Sequence, residues 1–325
     1  MKKLYISFDL EGPFGMYPFI KCEKDLFKYK NLDKVINFLF DFHHINNIPA
    51  TCALLGITSL DSIDQAELYL SRFKDLRIPN PSLLYNLDDI FFRTLISSNN
   101  KLFFKKYILA SDHFQENKSI KYCSHTFSHI HFLEDNVDNK LLELDLKISK
   151  EILYKTFNKD KILDTVVLPR NQHDNNLIKS VIIGLFNTIR TSSRLKIYSE
   201  NNNKSVLKQN IYKILRTYDR FSLPGSSIIQ SLNNYHFDSN TKNDIKEIDS
   251  GYFLPFPKSS FDYLFLKKSL DRYLNRSIKF NRDISIWFHP HNLLSNVNIA
   301  IEYYKETIIH ILSKTEKTHF PDFLE

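Results

Sequence analysis

The chain has 325 residues, 27 of them Phe and 17 Tyr, enough apolar bulk to fill one large core. Only 6 Gly occur, with no GxGxxG or GxxxxGK[ST] run, which excludes the Gly-rich phosphate cradles of dinucleotide-binding and P-loop proteins. The net charge of +7 is spread along the chain and carries no nucleic-acid-binding signature, so no nucleic-acid partner is expected; peripheral contact with an anionic membrane fits the basic balance.

In chain order, Leu4–Phe8 reads as a short buried strand, rich in β-branched and aromatic residues. It delivers Asp9 and Glu11 before Gly12-Pro13 turns the chain. Asp33 opens a helix running to about Asn46, with Val35, Phe38, Leu39, Phe42 and Ile45 on one face. His43 and His44 read as helix-end histidines near the C-terminal dipole. Pro49–Gly56 is a second buried strand, and strand-helix-strand within ~50 residues implies a parallel sheet. Residues 58–117 carry helical patches at Gln65–Phe73, Leu87–Leu95 and Leu102–Leu109, and are expected to form a helical insertion on the rim.

Ile120–Ser124 is the next strand, followed by an amphipathic helix from Asp138 to about Phe157. A strand through Thr165–Leu168 is closed by Pro169 and followed by Arg170; Lys179–Phe186 reads as a helix and Thr188–Thr191 as a short strand. Ile211–Leu223 is helical, and Asn233–Asp249 is polar and expected to be exposed. Tyr252–Leu254 is a weak strand, Phe261–Leu274 a helix, Ile284–Phe288 a strand ending at His289, and Ala300–Ser313 a closing helix. No repeat or long linker divides the chain, so 1–325 reads as a single α/β domain. Cys22, Cys52 and Cys123 are odd in number and far apart, which favours a reducing compartment over a disulfide framework. No apolar run is long enough to span a membrane, and Asp9 and Glu11 interrupt any signal-like segment, so a cytoplasmic chain beginning near Met1 is expected.

Several strands end in chemistry-bearing residues: Asp9 and Glu11, His125, Arg170, Arg190 and His289. A (β/α) barrel assembles its site in this way, from the C-terminal ends of strands distant in sequence. His125 and His129 are four residues apart, and on a helical turn that spacing puts both imidazoles on one face, where they can share a metal. Two adjacent carboxylates repel unless they bind something, so Asp9 and Glu11 suit the same ion. His131 and His291 read as neighbours of the site rather than ligands, and Arg190 and Asn171 as marginal.

These motifs resemble the polysaccharide deacetylases, a family of metal-dependent carbohydrate esterases. The likeness rests on Phe8-Asp9-Leu10-Glu11-Gly12, His125-Thr126-Phe127-Ser128-His129, Leu168-Pro169-Arg170-Asn171-Gln172 and Trp287-Phe288-His289-Pro290. It implies an irregular (β/α)7-8 barrel of the polysaccharide deacetylase type, spanning nearly the whole chain. By the same resemblance Asp9 is the general base, His289 the general acid, and Arg170 orients Asp9. Glu11, His125 and His129 bind a divalent metal ion, Zn²⁺ foremost, with other first-row ions open. The implied reaction removes N-acetyl groups from an amino sugar of a surface polysaccharide or its precursor. Deformylation or another amide hydrolysis, and glycan binding without catalysis, are the alternatives. Leu10 stands where many members carry a metal-binding Asp, and the family's Asp-Trp segment has no counterpart, Trp287 being the only Trp.

Overall fold

The computed structural model describes residues 3–20, 22–74, 76, 103, 117–131, 137, 139–171, 181–191, 246–281, 283–315 and 317–318. Strand β1 (Lys3–Leu10) lies mid-sheet, between β2 (Ala50–Leu54) and β8 (Ile284–Phe288). Beyond β2 follow β3 (Ile120–Ser124), β4 (Ile162–Val167), β5 (Thr188–Thr191) and β6 (Lys246–Asp249), while β7 (Tyr252–Phe253) flanks β8. A short β9 (Lys317–Thr318) pairs with the start of β1. All of these pairings are parallel.

Parallel strands are covered on both faces, and the residues show it: all of β2 is buried, and Leu4, Ile6, Phe8 and Leu10 of β1 sit in the main core. The alternate set on β1, including Ser7 and Asp9, turns to the inner face with Ala53, Cys123 and Val167, a small separate cluster. Cys123 is thus the buried small hydrophobe that the sequence suggests. Helices α1 (Leu32–Ile45), α2 (Ile63–Leu70), α3 (Asn139–Thr156), α4 (Ser260–Lys279) and α5 (Val297–Leu312) pack apolar stripes on the outside.

Only Ser250 and Gly251 separate β6 from β7, yet these two strands lie at opposite ends of the sheet path. The chain leaves one edge and enters the other as one kinked stave, and the sheet curls into the expected (β/α) barrel. Glycine is required at the kink: Gly251 has φ +68°, and a Cβ there would lie 2.2 Å from the Ser285 carbonyl oxygen.

Two expectations are corrected. Residues 246–249, read as part of an exposed polar stretch, form β6; backbone pairing to β5 and the burial of Ile248 hold it, and neither leaves a strong hydrophobic pattern. His43 stands in the last turn of α1 as expected, but it is fully buried rather than set against the dipole, with Nδ1 2.7 Å from the Ile48 carbonyl oxygen and Nε2 2.7 Å from the Tyr304 hydroxyl. Of the helical insertion, α2, the turn Ser71–Phe73 and isolated positions are described; the patches at Leu87–Leu95 and Leu102–Leu109, like the helix at Ile211–Leu223, lie outside the described residues, apart from Phe103.

Candidate active site

β1 carries Asp9 at its end and hands the chain to Glu11 one residue later. Both side chains are buried, at 2 % and 5 % exposure, so each needs compensating charge. For Asp9 that charge is Arg190 on β5, also buried: Nη1 donates to Oδ1 at 2.7 Å and Nη2 to Oδ2 at 2.5 Å. Nη1 also donates to Ser7 Oγ at 2.9 Å, Nε to Asn171 Oδ1 at 3.4 Å, and the guanidinium lies 4.9 Å from the Trp287 ring centroid. A two-pronged grip with a stacked face fixes direction as well as charge. Burial opposes ionisation of Asp9, but Arg190, with help from His125 and His289, outweighs it and holds the pKa below the ordinary value.

The sequence reading gave the orienting task to Arg170. In the structure Arg170 is exposed, in the turn Pro169–Asn171 with φ +55° just past β4, and the guanidinium that grips Asp9 is that of Arg190. A signal for Arg190 existed: in Thr188-Ile189-Arg190-Thr191 the buried Ile189 belongs to the outer core, so strand alternation turns Arg190 inward.

Glu11 faces three imidazoles. Its Oε1 lies 2.9 Å from His125 Nε2, 3.1 Å from His129 Nε2 and 3.3 Å from His289 Nε2. Burial opposes its charge, but the facing imidazoles, His289 and His129 foremost, hold its pKa well below the ordinary carboxylate value. Gly15 makes room for this carboxylate, since a Cβ there would come 1.9 Å from Glu11 Oε2. Nothing in the sequence reading singled out Gly15.

The His125–His129 segment is not a helical turn. It is a loop, with φ +67° at Thr126 and +60° at His129, and the imidazoles converge because the backbone is pinned. Phe127 N and Ser128 N donate to the buried carboxylate of Asp145 on α3 at 2.7 and 3.0 Å, and Ser128 Oγ donates at 2.5 Å. On the other side His125 N donates to the Leu54 carbonyl, and Gly56 N and Ile57 N donate to the carbonyls of Thr126 and Phe127.

The donor set fits a divalent ion. His125 Nδ1 lies 2.9 Å from the Val167 carbonyl oxygen, which can only accept, so Nδ1 is assigned the hydrogen and Nε2 offers a lone pair. That lone pair meets Glu11 Oε1, acceptor against acceptor, which is repulsive unless a cation lies between them. Burial lowers the His129 pKa despite the adjacent Glu11, which favours a neutral His129 ring able to offer a lone pair. Glu11, His125 and His129 form one group able to hold a metal, and Asp9, Glu11 and His289 form another sharing Glu11.

His289 is half-buried at the end of β8; burial disfavours its charge, but Glu11 outweighs this and raises the pKa above the usual histidine value. His291 stacks on it at 5.0 Å, and burial, with the charge of His289, drops His291 to about 4. His131 is buried against the outer edge of His129, with ring centroids 5.6 Å apart.

Sequence comparison finds no matching family profile and no matching curated protein. Structure comparison finds a candidate polysaccharide deacetylase from Mycobacterium smegmatis with a TM-score of 0.50 at 10 % identity, covering 99 % of this chain and 96 % of that one. The chain has the polysaccharide-deacetylase fold. A CE4 family pseudoenzyme from Bacillus anthracis is similar at a TM-score of 0.38 and 9 % identity, over 98 % of this chain, which spans 63 % of the pseudoenzyme's length. An alpha-amylase from Thermotoga maritima follows at 0.44 and 9 % identity, over 98 % of this chain and 73 % of its own. Asp9, Glu11, His125, His129 and His289 are brought together at the C-terminal ends of the staves.

Proposed function

We propose that the chain is a metal-dependent amide hydrolase that removes N-acetyl groups from an amino sugar of a surface polysaccharide or its cytoplasmic precursor. The observation that carries this reading is the convergence of an arginine-gripped carboxylate, Asp9, with Glu11 and the imidazoles of His125, His129 and His289. Amide hydrolysis needs a base for the attacking water, an acid for the departing amine and positive charge near the carbonyl oxygen. Glu11, His125 and His129 would hold the ion, Zn²⁺ foremost; a divalent ion bound there supplies an acidified water and charge for the developing oxyanion.

Asp9 takes the role of base, kept ionised and aimed by Arg190, which assumes the positioning task first given to Arg170. His289 takes the role of acid, because the raised pKa keeps it charged nearer neutral pH than an ordinary histidine. A carbohydrate substrate is supported by the partly exposed aromatic rings beside this acid: Phe253 and Trp287 lie 5.9 and 5.4 Å from His289. Such faces suit the C–H surface of a pyranose. Free thiols at Cys22, Cys52 and Cys123 favour a reducing, cytoplasmic setting, hence a precursor.

Acetate release from a panel of N-acetylated amino sugars, with added divalent metal, tests the proposal. The parent should release acetate, and Asp9→Asn should lower the rate at least about hundredfold while keeping its metal. Formate in place of acetate would assign a deformylase. Glycan binding with no acid released would replace the hydrolase by a binding member of the fold.

A further inference from the structure

Helix α4 buries Leu266, Leu270 and Leu274 against the barrel. Its opposite side carries an ordered stripe. Phe261, Leu264 with the adjacent Phe265, Lys268, Arg272, Arg276 and Lys279 recur at steps of three or four along the helix, so they share one face. The first three are large and apolar, and they are exposed at 81 %, 64 % and 39 %. The last four are all cationic. Phe280 closes the row, 42 % exposed, with Arg276 and Lys279 placed over its ring.

The helix's acids turn elsewhere. Asp262 accepts from the Lys258 amide at the N-terminal cap, and Asp271 pairs with His310 of α5 at 2.6 Å. On the neighbouring α5, Glu306 is engaged by Lys267, which lies off the stripe. Solvent meets apolar side chains at one end of the face and, along the rest, the exposed Lys268 and Lys279 with the partly buried Arg272 and Arg276 between them.

We propose that this face of α4 docks on an anionic lipid bilayer. The argument is charge complementarity joined to apolar exposure: a helix lying in the interface plane sinks Phe and Leu among the acyl chains while Lys and Arg meet acidic headgroups. A nucleic acid would use the cations and leave Phe261 and Leu264 in water. A second copy of this chain would bring four further cations against these four.

The placement has a consequence for the site. α4 follows β7 through a short connection, so its N-terminus, with Phe261 and Leu264, lies at the end of the barrel where the strands deliver Asp9 and Glu11. Docking by this face brings that end to the membrane surface, where a sugar carried on a lipid would be presented. This consequence rests on the proposed hydrolase; the docking itself does not.

The test is co-sedimentation of the purified full chain with phosphatidylcholine vesicles, with and without phosphatidylglycerol. The chain should bind the anionic vesicles and not the neutral ones. Lys268→Glu/Lys279→Glu and, separately, Phe261→Ser/Leu264→Ser should each weaken binding by about tenfold or more. The charge-matched control Lys34→Glu/Lys147→Glu, on α1 and α3, should bind like the parent. Absence of binding to anionic vesicles overturns the proposal, as does binding unchanged in either stripe variant. Self-association abolished by Phe261→Ser/Leu264→Ser, with no vesicle binding, would give the patch to contact between copies and also overturn it. Metal content and acetate release, measured on the same variants, separate failure of docking from failure of the hydrolase.

Discussion

Asp145 accepts three hydrogen bonds from the loop that aims His125 and His129, although nothing in the histidine motif points to it. Burial pushes its pKa up to about 6 against the pull of those donors. Asp145→Ala would strand the Phe127 and Ser128 amides in a dry environment. It should lower stability by about 3–5 kcal/mol and weaken divalent-ion affinity about 10–100-fold, read by thermal denaturation and metal titration. An Ala variant with parental ion affinity would contradict the positioning role. At this scale the sequence marks Glu11, His125 and His129, the proposed ligands that the structure brings together, but misjudges the backbone. A four-residue spacing suits a helix, and the left-handed conformations of Thr126 and His129 are imposed by partners distant in sequence. The two strand-end arginines show the same divide: both are visible, and only strand alternation distinguishes Arg190 from Arg170.

Elements are recovered where burial leaves a pattern. β2 is buried throughout, and β1, β3 and β8 bury apolar residues at alternate positions or more densely, so each is legible in the sequence. β6 is not, because its place depends on backbone pairing and on a kink at Gly251. The junction of α1 with β2 hides another device. His43 carries hydrogen on Nδ1 for the Ile48 carbonyl and accepts from Tyr304 on α5 through Nε2, which joins three elements through one neutral ring. Burial lowers its pKa from 6.5 to about 4. The folded state thus resists a proton that the unfolded chain accepts. This contribution is complete above pH 6.5 and is lost as pH falls toward 4, up to about 3 kcal/mol. Urea midpoints compared at neutral and mildly acidic pH should show the decline in the parent. His43→Gln should be less stable at neutral pH but decline less steeply. Equal steepness in both would contradict the assignment.

At the scale of the molecule, the barrel separates tasks by position. The outer faces of its strands build the core with the helices, and the strand ends hold the charged groups that burial would otherwise penalise. The fold is shared with a protein only 10 % identical, so it tolerates wide replacement of its packing residues. Fold alone does not settle chemistry, which resides in the side chains at the rim. The central claim is that Glu11, His125 and His129 hold a divalent ion there. Metal content by elemental analysis, parent against His125→Ala/His129→Ala, tests it most directly. The account predicts about one divalent ion per chain in the parent, lost in the variant while circular dichroism stays unchanged. A parent that takes up no ion after soaking in Zn²⁺, or a variant that retains it, would contradict the account.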